Sequence, residues 1–198
     1  MKVIFLDFDG VITIPPKWYI NLKKLKWVKK IVDETGAKIV VSSSWRCNTV
    51  EHTKEFILDE NKKCSKNKIL QWFVDNLYDV TPWFSDKKYY GTGRGGEIQT
   101  WLNEHPEVEN YVIIDDDADM LDEQLYHFVQ TNYEHGIGES ETIYAIKILN
   151  GLYIFNCLGL NFTLRNEWIK KCQELPNKSE ELHKYNNLKQ DFHYRYED

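Results

Sequence analysis

The first ten residues constrain the fold more than any other part of this 198-residue chain. Residues 2–10 read Lys-Val-Ile-Phe-Leu-Asp-Phe-Asp-Gly. The apolar run has no helical period and predicts a buried strand, and Gly10 predicts a turn directly after it. Side chains two positions apart on a strand point to the same side, so Asp7 and Asp9 project together from the strand's carboxyl end. Open α/β sheets bind their ligands at that end.

Two neighbouring carboxylates repel each other unless a cation lies between them or one of them keeps a proton. The spacing of Asp7 and Asp9 therefore suits a nucleophile, a proton donor and a hard metal ion. Taken alone, the segment is equally typical of a simple Asp-Gly turn after a strand. The rest of the chain has to separate these two interpretations.

Length and composition favour one globular domain. A chain of 198 residues can bury one good core, and 42% hydrophobic residues is typical of a folded protein. The formal net charge of −6 provides no overall attraction to nucleic acid.

No Cys-x-x-Cys pair occurs, so we expect free thiols in a reducing cytosol. The four cysteines are Cys47, Cys64, Cys157 and Cys172.

Periodicity along the chain predicts alternating strands and helices. Apolar residues at helical spacing predict helices at residues 20–32, 51–60, 68–78 and 95–102. Short apolar runs predict further strands at residues 37–41, 111–114 and 128–131. Residues 139–149 fit both periods, and their acidic first turn favours a helix. Residues 81–93 are predicted as a loop with a short strand, and the region from Leu175 as a peripheral helix or a loose tail. Strands alternating with helices predict an α/β fold with a parallel sheet.

Four segments place polar groups at or near the predicted strand ends. They are Asp7–Gly10, Val40–Arg46, Arg94 before a helix, and Ile113–Asp117. Their order resembles that of the haloacid dehalogenase (HAD) superfamily, in its phosphatase branch. Residues 94–102 and 128–131 are similar to the HAD domains associated with phage and viral nucleic-acid repair.

The resemblance covers about residues 2–149. It implies a three-layer Rossmann-like HAD fold with a mainly parallel sheet and a minimal or absent cap. We therefore expect a HAD-like phosphohydrolase domain at residues 1–150. Residues 151–198 are expected to form a C-terminal extension that packs on this domain or trails from it.

The resemblance also implies roles for the first two motifs. Asp7 would be the nucleophile that becomes an aspartyl-phosphate. Asp9 would be the general acid that protonates the leaving oxygen and then the base that activates water. Ser43 would hydrogen-bond a phosphoryl oxygen, and Ser42 is the alternative because three consecutive serines leave the register open. A serine run after a strand is otherwise typical of a loop or a helix cap.

Arg94 lies where most relatives carry lysine. A cation there neutralises charge on the transferring phosphoryl group. Arginine keeps the charge but replaces a point charge by a planar fork. This departure leaves Lys87 and Lys88 as alternative cations, and a solvated loop position is the ordinary interpretation of Arg94 by itself.

For the last motif, Ile113–Asp117, the resemblance implies a Mg²⁺ site. Asp116 would bind the ion directly, together with the Asp7 carboxylate and the Asp9 backbone carbonyl. Asp115 would lie outside the ligand set and would position a metal-bound water or Arg94. Oxygen ligands and a phosphate substrate favour Mg²⁺ over zinc, which prefers histidine or cysteine.

Two more aspartates, Asp117 and Asp119, follow this motif. They could join the metal site, but we favour a role as acids at a helix N-terminus, where the helix dipole stabilises them.

The lengths of the segments between the motifs limit the size of a cap, and therefore indicate the size of the substrate. Residues 11–38 have room for a loop and one helix, and residues 47–93 for two helices and a loop that could form a modest lid. A mostly open site favours a phosphate at the end of a large molecule, such as a nucleic-acid strand or a phosphoprotein, or on a nucleotide.

Basic and aromatic residues favour nucleic acid among these substrates. A solvated helix face and ordinary core aromatics are the competing explanation. The residues concerned are Lys17, Lys23, Lys24, Lys26, Lys29 and Lys30, then Lys62, Lys63, Lys66 and Lys68, and the aromatic Trp18, Tyr19, Trp45, Trp83, Tyr89 and Tyr90.

The sequence as a whole predicts a Mg²⁺-dependent phosphomonoesterase that acts on DNA or RNA ends or on nucleotides. A non-catalytic phosphate-binding module, and a phosphotransferase or protein phosphatase of the same fold, remain alternatives. The start of the chain does not look like a signal peptide, and no apolar run approaches about 18 residues. We therefore expect a cytoplasmic protein, in the host cytoplasm if it is viral, with no membrane contact and no obligate protein partner.

Overall fold

The computed structural model of the protein describes residues 1–17, 19–83 and 93–151. Its strands are β1 (Lys2–Leu6), β2 (Lys38–Val41), β3 (Leu77–Val80), β4 (Asn110–Asp115) and β5 (Phe128–Gln130). Its α-helices are α1 (Leu22–Thr35), α2 (Val50–Glu60), α3 (Lys68–Asp75), α4 (Gly93–Glu104) and α5 (Glu139–Leu149). Two 3₁₀ turns lie at Lys62–Cys64 and Asp122–His127.

The five strands form one parallel sheet in the order β3-β2-β1-β4-β5. The central strand, β1, pairs Leu6 with Val41 on one side and with Ile114 on the other. The ladder continues past the strand ends, because the Asp7 amide donates to the Ile114 carbonyl at 3.0 Å and the Ser42 amide donates to the Leu6 carbonyl at 2.9 Å. The ends of β1, β2 and β4 therefore lie side by side at the carboxyl edge of the sheet.

Helices cover both faces of the sheet, as the alternation of residues in β1 requires. Ile4 and Leu6 belong to the core that includes buried residues of α1, α3 and α5. Val3 and Phe5 face the other way and pack in the core that contains Ile98 of α4. This three-layer arrangement confirms the predicted α/β, Rossmann-like fold.

Local sequence signals mark both ends of α1. Gly36 ends α1 in the left-handed conformation with φ +68°, and the Asn21 side chain caps the start of this helix by accepting from the Lys23 amide. Residues 139–149, which fitted two periods, form helix α5.

The helix predicted at residues 68–78 is wrong at its end. Helix α3 stops at Asp75, and Leu77–Val80 forms the edge strand β3, which pairs with β2. Four residues are too few to show a period of two, so pairing with a neighbouring strand decides their conformation. Residues 81–83, where the sequence placed a loop with a short strand, are irregular, and residues 84–92 lie outside the described part.

The modest lid predicted at residues 47–93 is also wrong as far as its two helices are concerned. Ile57 of α2 and Leu70 and Phe73 of α3 are fully buried in the same core as Leu6. These helices therefore belong to one layer of the domain and do not form a cover. A loop and α1 occupy residues 11–35, as predicted, with only Trp18 outside the description.

Several predicted features lie outside the described residues. Lys87 and Lys88 are among them, as are Cys157, Cys172 and all of the proposed extension except Gly151. The boundary near residue 150 therefore remains a prediction. Both cysteines in the described part, Cys47 and Cys64, are free thiols. None of the described helices has the length and apolarity that crossing a membrane would need.

Candidate active site

Three carboxylates converge at the carboxyl edge of the sheet. Asp7 follows β1, Asp115 ends β4 and Asp116 follows it. One oxygen of each lies within 4.8 Å of the others. Asp7 and Asp115 are buried, with 5% and 2% of their surface exposed, and Asp116 is half-buried. The sequence predicted that Asp7 and Asp116 approach each other, and the structure adds Asp115 to the same cluster.

Burial, and to a smaller extent the charges of neighbouring carboxylates, raise the pKa values of these acids. Burial raises the pKa of Asp7 to about 7 against the opposing attraction of the Arg94 guanidinium. Burial, followed by the charge of Asp7, raises the pKa of Asp115 to about 8. Burial also raises the pKa of Asp116. Three crowded carboxylates are unfavourable by themselves, and a cation among them would favour their ionised forms.

The donor set fits a hard divalent cation. Oδ2 of Asp115 is buried and has no hydrogen-bond partner among the described residues, although Arg94 Nε lies 3.5 Å away. A buried oxygen in that condition is destabilised unless something binds it. Oxygen ligands alone favour Mg²⁺ over zinc. Asp7 and Asp116 are therefore candidate ligands, as the resemblance implied. Asp115, which the resemblance placed outside the ligand set, lies close enough to be a third, and coordination by the Asp9 carbonyl remains a prediction.

Gly10 allows the turn after β1 to lie close to Asp116, which follows β4. Its φ of +65° is left-handed, and a Cβ at this position would lie 2.4 Å from Cγ of Asp116. Its carbonyl accepts a hydrogen bond of 2.8 Å from Oγ1 of Thr131, which follows β5. The turn after β1 is thus closed against the loop after β4, and a side chain would separate them.

Arg94 lies between the acids as the single cation that the first turn of α4 contributes. Its Nη2 atom lies 3.5 Å from Oδ1 of Asp7, and its Nε lies 3.5 Å from Oδ2 of Asp115. Its Nη1 is 3.6 Å from Oε2 of Glu97, one turn along the same helix. The structure therefore places Arg94 beside the predicted nucleophile, where the resemblance implied a cation.

The start of α4 is anchored on the loop after β4. Oδ2 of Asp119 accepts the Arg94 amide at 2.8 Å, so Asp119 caps α4 and lies at a helix N-terminus, as favoured above. Gly95 packs so closely that a Cβ there would lie 2.4 Å from the Leu121 amide nitrogen. Asp117 donates its amide to Oδ1 of Asp115 at 3.1 Å. These contacts with the backbone of Arg94 and Gly95 fix where α4 begins, and they therefore fix the position of Arg94.

Ser42 and Ser43 are both buried, but they differ in their contacts. The Ser43 side chain is close enough to Asp7 to help lower the pKa of that carboxyl, against the larger effect of burial, and its hydroxyl accepts from the Trp45 amide at 3.3 Å. The hydroxyl of Ser42 has no hydrogen-bond partner in the described residues. The geometry therefore favours Ser43, the residue chosen from the sequence, as the serine nearest to the predicted nucleophile.

Asp9 is half-buried and contacts the segment after β2 and Thr13 of its own loop. Its carboxylate accepts hydrogen bonds from Oγ1 of Thr13 at 2.6 Å and from the indole of Trp45 at 3.1 Å. The first two motifs are therefore brought together, as predicted.

Sequence reasoning assigned no role to Arg46 and Glu97. The Arg46 guanidinium is buried and donates to the carbonyls of Ser43 at 2.7 Å, Thr81 at 2.9 Å and Pro82 at 3.1 Å. It also donates to Oε2 of Glu97 at 2.5 Å. The signals were present: Arg46 follows the serine run directly, and Glu97 lies three residues after Arg94, a spacing that lets helix side chains meet.

The lysine run on α1 is partly neutralised. Lys29 pairs with Asp33 at 2.6 Å, and Lys30 pairs with Glu34. The Nζ atom of Lys24 donates to the Ile137 carbonyl at 2.9 Å. These contacts favour a solvated helix face for the far part of the run. Exposed Lys17 and Lys23 lie near the start of α1, which is the end of the helix that adjoins the carboxyl edge of the sheet.

Comparison with known proteins identifies the family. Residues 3–142 match the family described as "HAD domain in Swiss Army Knife RNA repair proteins". This span is more than two thirds of the chain and contains every site residue predicted above. Searches of curated proteins and of solved structures each found no match. The chain belongs to this family of HAD domains linked to RNA repair, which confirms the resemblance that its motifs indicated.

Proposed function

We propose that the protein is a Mg²⁺-dependent phosphomonoesterase that acts through an aspartyl-phosphate on Asp7. One observation carries this proposal: the Asp7 carboxylate lies in a cluster with Asp115 and Asp116, with the Arg94 guanidinium 3.5 Å away. A phosphate-binding module would not gain from three carboxylates at its binding site, because like charges repel phosphate. A nucleophile and ligands for a cation explain the same arrangement.

In the first half-reaction, an oxygen of Asp7 attacks phosphorus in line with the leaving oxygen. The bond from phosphorus to the leaving oxygen breaks, its electron pair stays on that oxygen, and Asp9 supplies a proton. Arg94 compensates the charge on the transferring group, and Ser43 donates a hydrogen bond to it.

In the second half-reaction, Asp9 accepts a proton from water as the water oxygen attacks phosphorus. The bond between phosphorus and the Asp7 oxygen breaks, which releases inorganic phosphate and restores the carboxylate. Asp9 is then protonated again for the next cycle, so atoms and protons balance.

Asp7, Asp115 and Asp116 would hold the Mg²⁺ ion, with the Asp9 carbonyl as the further ligand predicted from the sequence. The ion would neutralise charge on the phosphoryl oxygens when bound. The buried Oδ2 of Asp115, which accepts no hydrogen bond from the described residues and has the Arg94 guanidinium 3.5 Å away, supports this assignment.

We propose the phosphorylated end of an RNA strand as the substrate. The family description refers to RNA repair, which supports RNA over other phosphate esters. The described residues contain no inserted cap, since α2 and α3 pack in the core. Lys17 and Tyr19 are exposed, with the Lys17 ammonium 5.7 Å from the Tyr19 ring centre, and they follow the loop that carries Asp9. Such a pair can contact backbone phosphate and stack on a base.

The test is a phosphate-release screen with added Mg²⁺. Substrates are RNA and DNA oligonucleotides phosphorylated at either end, mononucleotides, phosphopeptides and para-nitrophenyl phosphate. Asp7→Asn removes the nucleophile, and Asp75→Asn makes the same chemical change at an exposed position at the end of α3.

We expect the wild type and Asp75→Asn to release phosphate at equal rates, fastest from RNA ends, and Asp7→Asn to release none. Full activity in Asp7→Asn would refute the covalent route. Inactivity of the wild type across the whole panel would favour the binding module instead.

A further inference from the structure

The Asp9 carboxylate is held asymmetrically. Within the described parts of the chain, three side chains donate hydrogen bonds to it. Oγ1 of Thr13 lies 2.6 Å from Oδ1, and the Trp45 indole nitrogen lies 3.1 Å from both oxygens. The exposed hydroxyl of Ser44 lies 3.4 Å from Oδ2, at the long limit of a hydrogen bond. Oδ1 is therefore the better held of the two oxygens.

The three donors differ in what they can do when Asp9 takes up a proton. A serine or threonine hydroxyl can rotate to accept a hydrogen bond, whereas an indole N–H can only donate. The Trp45 contact therefore requires an unprotonated oxygen on Asp9. Because Oδ1 has Thr13 as a second close donor, Oδ2 is the oxygen that remains available to carry a proton.

Aromatic packing fixes the Trp45 ring in this position. Its ring centre lies 5.9 Å from that of Phe8, which is fully buried between Asp7 and Asp9 in the chain. On the other side it lies 5.9 Å from Phe56 of α2, in an edge-on arrangement. The indole is thus held between the end of β1 and α2, and this packing fixes the direction of its N–H.

We infer that Trp45 is a positioning residue for proton transfer in the proposed reaction. Its indole N–H, 3.1 Å from both oxygens, holds the Asp9 carboxyl in place, so that the proton on Oδ2 can be delivered to the leaving oxygen. As the bond between phosphorus and the leaving oxygen breaks, the electron pair stays on that oxygen and the Oδ2 proton moves to it. This inference rests on the proposed function, since it needs Asp9 to act as the general acid.

The role has a consequence for substrate choice. An ester of an aliphatic alcohol, such as a sugar hydroxyl, has a poor leaving oxygen and needs the proton as the bond breaks. The para-nitrophenyl ester leaves readily as the anion and needs it little. Trp45 should therefore matter for sugar phosphates and much less for this activated ester.

The test compares kcat of Trp45→Phe on glycerol phosphate and on para-nitrophenyl phosphate with Mg²⁺ present. Phenylalanine keeps an aromatic ring between Phe8 and Phe56 but removes the N–H. We expect kcat to fall about 30-fold on glycerol phosphate and less than about threefold on the activated ester, with KM unchanged on both. Phe56→Leu loosens the packing of the indole but keeps the donor, so its loss of kcat on glycerol phosphate should be smaller than that of Trp45→Phe.

Two further variants separate positioning from packing. Trp45→His restores a ring N–H and should recover part of the loss on glycerol phosphate. In an Asp9→Asn background, Trp45→Phe should change kcat less than about twofold, because the group that it positions is absent. An equal loss on both esters, or a full Trp45→Phe effect without Asp9, would refute the inference while the proposed function stands. A wild type that is inactive on both esters and on every other substrate of the panel above would refute the proposed function itself, and this inference with it.

Discussion

Arg46 and Glu97 form a buried ion pair, 2.5 Å long, that joins the segment after β2 to helix α4. Burial lowers the pKa of Arg46 to about 10 against the attraction of Glu97, yet the group stays charged at neutral pH. The same Glu97 oxygen lies 3.6 Å from Arg94. The pair therefore connects the backbone beside Ser43 to the cation beside Asp7.

Glu97→Gln should destabilise the fold because it leaves the buried Arg46 charge without a counter-ion. We expect the free energy of unfolding to fall by about 3 kcal/mol, measured by urea denaturation. Glu104→Gln makes the same change at an exposed position of the same helix and should have an effect within about 0.5 kcal/mol. Equal stability of the two variants would show that the ion pair does not contribute to the stability of the fold.

Arg94→Ala should lower kcat on para-nitrophenyl phosphate about 100-fold, because the transferring group loses its neighbouring cation. Arg94→Lys keeps the charge without the fork and should lose less. Asn103→Ala, at an exposed position of α4, provides the control for changes to the helix. If Arg94→Ala kept wild-type kcat, the charge beside Asp7 would not contribute to catalysis.

Gly10→Ala should weaken Mg²⁺ binding as well as the fold, since its Cβ would lie 2.4 Å from Cγ of Asp116. Gly36 has nearly the same φ, +68° against +65°, but open space around the added atom. Gly36→Ala should therefore cost only about 1 kcal/mol and leave Mg²⁺ affinity unchanged. We expect Gly10→Ala to lose at least about tenfold in Mg²⁺ affinity by calorimetric titration. Indistinguishable affinities in the two variants would contradict the close approach of the turn and Asp116.

The acid cluster predicts a pH-dependent stability of the Mg²⁺-free protein. Asp115 has a pKa of about 8 when folded and near 3.8 in the absence of the fold, so the folded chain binds more protons between these values. The stabilising contribution of that proton is present below about pH 4 and is lost as the pH rises to about 8. Asp115→Asn cannot lose a proton there. Its stability relative to wild type should thus rise by several kcal/mol over this range, because each pKa unit corresponds to about 1.4 kcal/mol.

Urea denaturation of both proteins across this pH range measures the difference directly. Added Mg²⁺ should stabilise the wild type more at about pH 8 than at about pH 5, because the carboxylates are then available to bind it. A constant difference between variant and wild type at all pH values would show that Asp115 is not perturbed by its surroundings.

The sequence predicted the frame of the site because its signals are local. The apolar run before Asp7 and the aspartates after β4 each follow a strand, and parallel strands end at one edge of the sheet. The sequence did not predict strand β3 because a segment of four residues is too short to show a period of two. The lid was a wrong prediction because helix periodicity does not tell whether the apolar face of α3 packs on the sheet or over the site.

The contacts that hold the site together could not be read from the sequence. Arg46 meets Glu97 across 51 positions, and Trp45 meets Asp9 across 36. Such pairs depend on how two loops and a helix pack in three dimensions. The sequence shows which residue types follow the strands, but it does not show which residues contact them.

The most direct test of the account is to locate phosphate on the protein during turnover. The wild type is mixed with Mg²⁺ and para-nitrophenyl phosphate, quenched in acid within one turnover, digested and analysed by mass spectrometry. We predict one phosphoryl group on the peptide that contains Asp7, at the Asp7 carboxyl, and none in Asp7→Asn. Active turnover with no label at Asp7, or with the label on another residue, would contradict it.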